Sequence, residues 1–418
     1  MNGAKKSYDD IVQTKWTGST KRAHMPLSLR AKIFMPFAAL KGFDELIKQT
    51  EADAAASERV ADGTSASRAP LSSLLALVLV LFCLPLFFSC SAGASPRYAF
   101  ALGTVCTVNA FEDGSERLYD AVFARISELE HIFSVTDSQS ELSAVNATAA
   151  HAPVAISAEL FTVLSAALRI AEQTDGALNP ALGPLVSLWG IQTEHARVPS
   201  ADEIAACRRR CNWRDVVLTV LPAATDSNAA GGSSAGSSDA GSTQAYVFFK
   251  QQGMALDLGA VAKGYVADEL VRLLHEQGVR RAVVNLGGNV YTVGIKADGS
   301  PWRVGIKNPR APERESMLSV EVAEEAVVTS GNYERYFEQD GVRYHHILDT
   351  ATGRPAERGV LSVTVIAKNA LQADALSTAL FVLGVEQGLA LTESLPGVEA
   401  VFIDSDCAVH ATSGARVQ

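Results

Sequence analysis

Between Tyr98 and His410 the chain switches repeatedly between two hydrophobic periods, and the order of the switches limits the fold more than any other feature. A period near 3.6 predicts a helix from Ser115 to Phe133, with apolar residues at 118, 122, 126, 129 and 133. A second helix starts at Ser157, sets Leu160, Val163, Leu164, Ala167 and Leu168 on one face, and stops at the Asp175-Gly176 breaker. Further helices are predicted from Val261 to Gln277 and from Ala370 to Leu383, followed by a last αβ stretch. The strand patterns are an opening run from Tyr98 to Phe111, then MALDL, RAVVNL, NVYTVGI, WRVGI, MLSVEV, AVVTS, VRYHHIL and VLSVTVIA. Helices and strands are thus interleaved without a regular βαβ repeat. The expected class is α+β: one large domain with mixed or antiparallel sheets and packed helices.

Two segments stand outside that pattern. Residues 223–244 form a Gly/Ser/Ala tract with no large apolar side chain, so they cannot bury enough surface to offset their ordering entropy. The flanking runs DVVLTVL and AYVFF both read as strand, which makes the tract a disordered insertion between neighbouring strands. Leu74 to Phe88 is a charge-free run preceded by Arg68 and closed by Ser89-Cys90-Ser91. It is short for a hydrocarbon layer of about 30 Å, and Pro85 interrupts it, so it reads as the apolar core of a secretory signal.

Ser89 directly before Cys90 resembles a bacterial lipoprotein processing site, although Phe87-Phe88 is bulky for one. An uncleaved anchor or a buried helix also fits the run. The expected organisation is therefore 1–70, an upstream extension of the reading frame or a disordered tail; 71–90, a lipoprotein signal acylated at Cys90; and 91–418, the folded domain. The expected location is the periplasmic face of a bacterial inner membrane, held by the lipid anchor.

The 46 acidic and 36 basic side chains leave a net charge of −10. No stretch concentrates Lys and Arg as phosphate contacts to a nucleic acid require, so nucleic acid is not an expected partner. Six cysteines are too scattered for a disulfide framework. Cys207 and Cys211 lie four apart, but no second pair is spaced to complete a zinc site.

Four clusters carry possible chemistry. In DLGAVAKGY a helix start bearing Lys263 suits a phosphate, and Asp257 could accept from a ribose hydroxyl or base amine, yet an ordinary helix start reads the same way. In NLGGN the glycine pair permits close approach of a ligand or simply a tight hairpin. In HHILDTATGRP the two histidines point to opposite strand faces, so at most one faces a given site, and Asp349 with Thr352-Gly353 also fits a turn. In ADALSTAL, Asp374 and Thr378 share a helix face, which suits a hard cation such as Mg²⁺ or a local hydrogen bond.

SELSAVN (140–146), TDGALNPALGPLVSLWG (174–190), DLGAVAKGY, NLGGN, SGNYERYF, HHILDTATGRP and ADALSTAL occur in this order. The series resembles that of the FAD:protein FMN transferases, the ApbE family of flavin-handling lipoproteins, over about residues 98–410. The resemblance implies FAD as substrate and Mg²⁺ held by Asp374, Thr378 and the carbonyl of Ala260, with Ser377 as an extra ligand. It implies FAD contacts at Leu102, Ala177, Leu178, Asn179, Asp257, Lys263 and Leu348, with His346 near the pyrophosphate, Thr136 beside the flavin, and His346 or Asp374 as catalytic base. The implied reaction moves the FMN part of FAD to a Thr or Ser hydroxyl of an acceptor protein of a membrane electron-transport complex and releases AMP. Hydrolysis of FAD to FMN and AMP, or binding without catalysis, are the alternatives. Three positions depart from the family pattern: Thr136 for an aromatic residue, Thr350 for proline, and Asn179 for aspartate.

Overall fold

The computed structural model describes residues 95–111, 114–222, 243–314 and 316–418, all within one compact unit. The expected tail 1–70, the signal 71–90 with Cys90, and most of the insertion 223–244 lie outside the described residues. Thr243 and Gln244 depart from that insertion by opening a strand, where the Gln244 amide donates to the Ile156 carbonyl at 2.9 Å.

Local capping fixes several helix starts. Ser115, Ser140 and Ser157 each accept a backbone N–H of the first turn, opening α1 (Glu116–Phe133), α2 (Glu141–Thr148) and α3 (Ala158–Gln173); each such cap is worth about 1 kcal/mol. α4 (Gly183–Trp189) carries Pro184 in its first turn, and α5 (Ala201–Arg208) begins with a reciprocal Ser200–Glu203 capping box. α6 (Ala262–Glu276), α7 (Ala370–Leu383) and α8 (Val385–Glu393) complete the helices.

The strands are β1 (Arg97–Ala101), β2 (Thr104–Ala110), β3 (Val154–Ile156), β4 (Val216–Pro222), β5 (Thr243–Phe249), β6 (Ala282–Leu286), β7 (Asn289–Val293), β8 (Trp302–Ile306), β9 (Leu318–Val322), β10 (Glu325–Gly331), β11 (Tyr336–Gln339), β12 (Val342–His345), β13 (Leu348–Asp349), β14 (Arg354–Pro355), β15 (Val360–Ala367), β16 (Val398–Asp404) and β17 (Val409–Ala411). Eight of them form an antiparallel sheet in the order β1-β2-β6-β7-β10-β15-β16-β17. The α+β expectation holds, and β4 pairs with β5 across the insertion as the flanking patterns predict.

Alternation sorts the sheet's side chains into two cores. Val284, Leu286, Val328, Val365 and Phe402 face α1, α3, α6 and α7, whereas Val283, Val327, Ile366, Val401 and Ile403 face the β8–β9 hairpin. Burial on both faces explains why these strands read as continuous apolar runs. A third cluster gathers Leu185, Trp189, Ile204, Cys207, Cys211 and Leu348, so the two cysteines are packing residues.

Three expected strands are reshaped. The opening run is a hairpin, broken where Leu102 (φ 55°) and Gly103 (φ 66°) turn the chain between β1 and β2. VRYHHIL breaks at His346, between β12 and β13. MALDL is an extended loop, not a strand: Leu256 N–H donates to Asn146 Oδ1 at 2.7 Å and Asp257 N–H to the Pro180 carbonyl at 2.8 Å.

Candidate active site

α7 is buried around almost its whole circumference, so the polar residues it carries stand out. Its start is fixed from a neighbouring helix: Asp268 on α6 accepts the Ala370 and Leu371 N–H groups and the Asn369 side chain at 2.8 to 2.9 Å. Burial pushes the Asp268 carboxyl up to about 6. The two helices touch at Gly264, where a Cβ would stand 2.3 Å from the Ala370 carbonyl oxygen. That contact lets the Gly264 N–H donate to Asp374 Oδ2 at 2.9 Å.

Asp374 is 3% exposed, and its Oδ1 lies 3.7 Å from Lys263 Nζ. Burial raises its pKa, while Lys263, Asn289 and the Gly264 N–H pull it down. The Asn289 amide sits beside the carboxylate, though its Nδ2 lies outside hydrogen-bonding geometry to any acceptor among the described residues. One turn further, Ser377 Oγ donates to the Asp374 carbonyl, and Ser330 on β10 reaches Ser377 Oγ at 2.8 Å and Thr378 Oγ1 at 3.3 Å. Carboxylate and hydroxyl oxygens therefore converge along the middle of α7.

The loop before α6 closes the next side. Gly259 N–H donates to Asp257 Oδ1, and Lys263 Nζ donates to the Gly259 carbonyl at 3.2 Å, so the lysine lies between the Asp257–Ala260 loop and Asp374. Asp257 is half-buried with its pKa raised by desolvation, against the opposing charges of Arg335 and Lys263.

Arg335 and His346 flank the β11–β12 hairpin and pair at its base. The Arg335 carbonyl faces both the His346 N–H at 3.0 Å and the His346 Nδ1 at 3.2 Å. Burial first, then Arg335, His345 and Lys263, pull the His346 pKa down to about 3, so the ring is neutral at physiological pH. His345 points the other way, onto the Phe381 ring at 5.4 Å, as strand alternation requires. Phe337 stacks on Tyr344, and Tyr344 packs tilted against Trp189 at 5.6 Å, which ties the hairpin to α4. Across the cleft Leu102 donates its N–H to Glu130 on α1 at 2.7 Å, and Arg335 Nη2 lies 4.0 Å from where a Gly103 Cβ would stand.

Asp374, Ser377, Thr378, Lys263, the loop bearing Asp257 and Ala260, and His346 are thus assembled around one cleft, with the Leu102 turn at its edge. The remaining candidates are placed differently. Ala177 and Leu178 are buried in the main core. The Asn179 side chain is consumed by internal bonds to the Cys211 carbonyl, the Ala181 N–H and Thr350 Oγ1. Leu348 packs its side chain against the Trp189 cluster. Thr136 is exposed just beyond α1 and, among the described residues, bonds only Ser134. Sequence reasoning passed over Arg335, Ser330, Asn289 and Asp268, although the first three lie inside motifs it had singled out.

Known proteins resemble this chain in both sequence and fold. The ApbE family pattern matches residues 102–402. A FAD:protein FMN transferase of Treponema pallidum is 40% identical over 330 residues, covering 76% of this chain and 86% of its own. One from Klebsiella pneumoniae is 36% identical over 72% of this chain and 87% of its own. The solved ApbE protein of Thermotoga maritima superposes with a TM-score of 0.64 at 33% identity, over 76% of this chain and 97% of that one. The flavin transferase ApbE of Vibrio cholerae gives a TM-score of 0.64 at 29% identity with the same coverage. Because these matches span nearly all of the described residues, the chain belongs to the ApbE family and is an enzyme of that family.

Proposed function

We propose that this enzyme transfers the FMN part of FAD to a Thr or Ser hydroxyl of an acceptor protein, releasing AMP. The observation that carries the reading is the meeting of Asp374 and Lys263, 3.7 Å apart, in a cleft that also holds Asp257, Arg335 and His346. In the reaction the hydroxyl oxygen bonds to the FMN-side phosphorus, the bond to the AMP oxygen breaks, and AMP leaves with that electron pair. Asp374 and His346 are the two candidate bases for the hydroxyl proton. Burial lowers the His346 pKa to about 3, so its ring is neutral and can accept from the hydroxyl, whereas Asp374 is also the carboxylate of the oxygen donor set. Lys263 places its charge where negative charge grows on the phosphate oxygens.

The donor set fits Mg²⁺. It is all oxygen, comprising the Asp374 carboxylate, the Ser377 and Thr378 hydroxyls and the Ala260 carbonyl, and among the described residues no three His, Cys, Asp or Glu side chains gather into a cage. A cation that keeps waters and takes substrate phosphates matches such a sparse set. When bound there, Mg²⁺ would supply charge neutralisation for the departing phosphate.

We also infer that Cys90 carries a lipid anchor, holding the domain at the periplasmic face of the inner membrane near acceptors in membrane electron-transport complexes. Hydrolysis of FAD to FMN and AMP is the second reading, with water taking the place of the acceptor hydroxyl. The test follows AMP release from FAD and Mg²⁺ with and without a flavin-acceptor subunit. Transfer predicts AMP only with acceptor, accompanied by flavin fluorescence on the acceptor. Asp374→Ala is expected to abolish AMP release, and release at the wild-type rate would refute the assignment.

A further inference from the structure

The cations around the cleft differ in how fully they are engaged. Lys263 bonds the Gly259 carbonyl and faces Asp374, Arg358 faces Asp349 at 3.5 Å, and Arg208 donates to the Thr350 carbonyl at 3.2 Å. Arg335 is half-buried, yet its guanidinium makes no hydrogen bond or ion pair with any described residue. Its location is nevertheless well fixed. Its own carbonyl is held by His346, its charge is felt at both Asp257 and His346, and Nη2 stands beside the Leu102–Gly103 turn.

A guanidinium partly withdrawn from water without a partner loses hydration that nothing in the protein replaces. Its planar fork matches an anion presenting two oxygens side by side, and charge-assisted bonds of that kind are roughly twice as strong as neutral ones. In FAD the flavin ring, the ribityl chain and adenine carry no such anion; the pyrophosphate does. We propose that Arg335 grips the pyrophosphate of FAD, so that this residue makes the cleft select a flavin dinucleotide over unphosphorylated flavin. The proposal rests on the flavin-transfer reading for the identity of the substrate.

Lys263 cannot substitute for this role. Its ammonium is a point charge already divided between a carbonyl and Asp374, and it stands on the helix side of the cleft. Arg335 approaches from the hairpin base, so the two cations address the phosphates from different elements.

The experiment measures FAD binding by flavin fluorescence on the folded domain, with ADP and riboflavin as competitors, for wild type and Arg335→Gln. Loss of one charge-assisted contact predicts FAD and ADP weakened by about ten- to a hundredfold, with riboflavin competition and the melting temperature unchanged. Equal weakening of riboflavin and FAD would overturn the proposal, as would unchanged FAD affinity. Where the Gln variant melts early, Arg335→Lys replaces it; keeping the charge but losing the fork, it too should weaken FAD and ADP but not riboflavin. AMP release is followed separately. Wild-type protein that releases no AMP, yet shows this Arg335-dependent selectivity, refutes the transfer reading alone. AMP release with FAD affinity indifferent to Arg335 refutes the phosphate grip alone.

Discussion

Gly264→Ala tests whether the contact between α6 and α7 builds the site. An added Cβ would lie 2.3 Å from the Ala370 carbonyl oxygen and 2.7 Å from both Ala370 C and Leu371 Cα, all backbone atoms of a helix start that Asp268 holds in place. Restoring ordinary contact requires the helices to part by about 1 Å, since non-bonded atoms settle near 3.5 Å. Overpacking of this kind costs about 1–3 kcal/mol. Stretching the Gly264 N–H bond to Asp374 removes part of a charge-assisted contact worth about 1.5–3 kcal/mol. Replacing glycine by alanine inside a helix returns about 1 kcal/mol, leaving a net loss of about 1–4 kcal/mol. Thermal unfolding should register that loss as a fall of several degrees. Because Asp374 shifts with α7, AMP release should drop further than the loss of folded protein accounts for. Gly278→Ala, where a Cβ meets nothing within 4 Å but φ is +80°, is the control for backbone strain alone. If Gly264→Ala melts with wild type and retains its rate, the close approach of the helices does not position Asp374.

Two further outcomes are expected. Burial holds the His345 pKa down to about 4 against 6.5 in the unfolded chain, so the unfolded state binds the extra proton first as pH falls, and this ring contributes a loss of about 3 kcal/mol in stability between pH 6.5 and 4, to which His346, held lower still, adds its own. Denaturant unfolding at both pH values should show that drop, and His345→Gln should reduce it; an equal drop in the variant would assign the pH dependence elsewhere. Cys90→Ser is expected to release the protein from membranes, and unchanged detergent partitioning would rule out lipidation.

Most helices were legible because their signals are local. Ser115 and Ser157 cap within three residues, and the apolar periods of α1 and α3 run on without interruption. The hairpin hidden in the opening run was not legible, since its turn places a leucine at φ 55°, a conformation that leucine seldom adopts, and only Gly103 marks it. Glu130 compensates from α1 by accepting the Leu102 N–H. The sequence cannot announce a turn stabilised by a residue 28 positions away. α4 and α5 escaped for a related reason: they are short, and their apolar residues pack on a satellite cluster instead of the main core.

The same distinction separates the parts of the site that were foreseen from those that were not. Asp374 and Thr378 announce themselves as polar residues one turn apart in an apolar helix, a pattern visible without any partner. Asn179 and Thr350 read as two unrelated departures from the family pattern, but the fold brings them together across 171 positions, with the Asn179 amide reaching Thr350 Oγ1 at 3.4 Å. Thr350 Oγ1 also donates to the Gly176 carbonyl at 3.0 Å, a bond that the proline usual at this position could not make. The Asn179 amide donates to the Cys211 carbonyl at 2.7 Å, which an ionised aspartate, an acceptor only, could not do. The two departures therefore act as one exchange, in which a hydrogen-bonded clasp joins the 174–179 turn to the 349–353 turn. Because the clasp uses the polar atoms of Asn179 internally, any contact between that turn and a flavin must come from its backbone, whereas Asp257, Lys263 and Arg335 present side chains to the cleft.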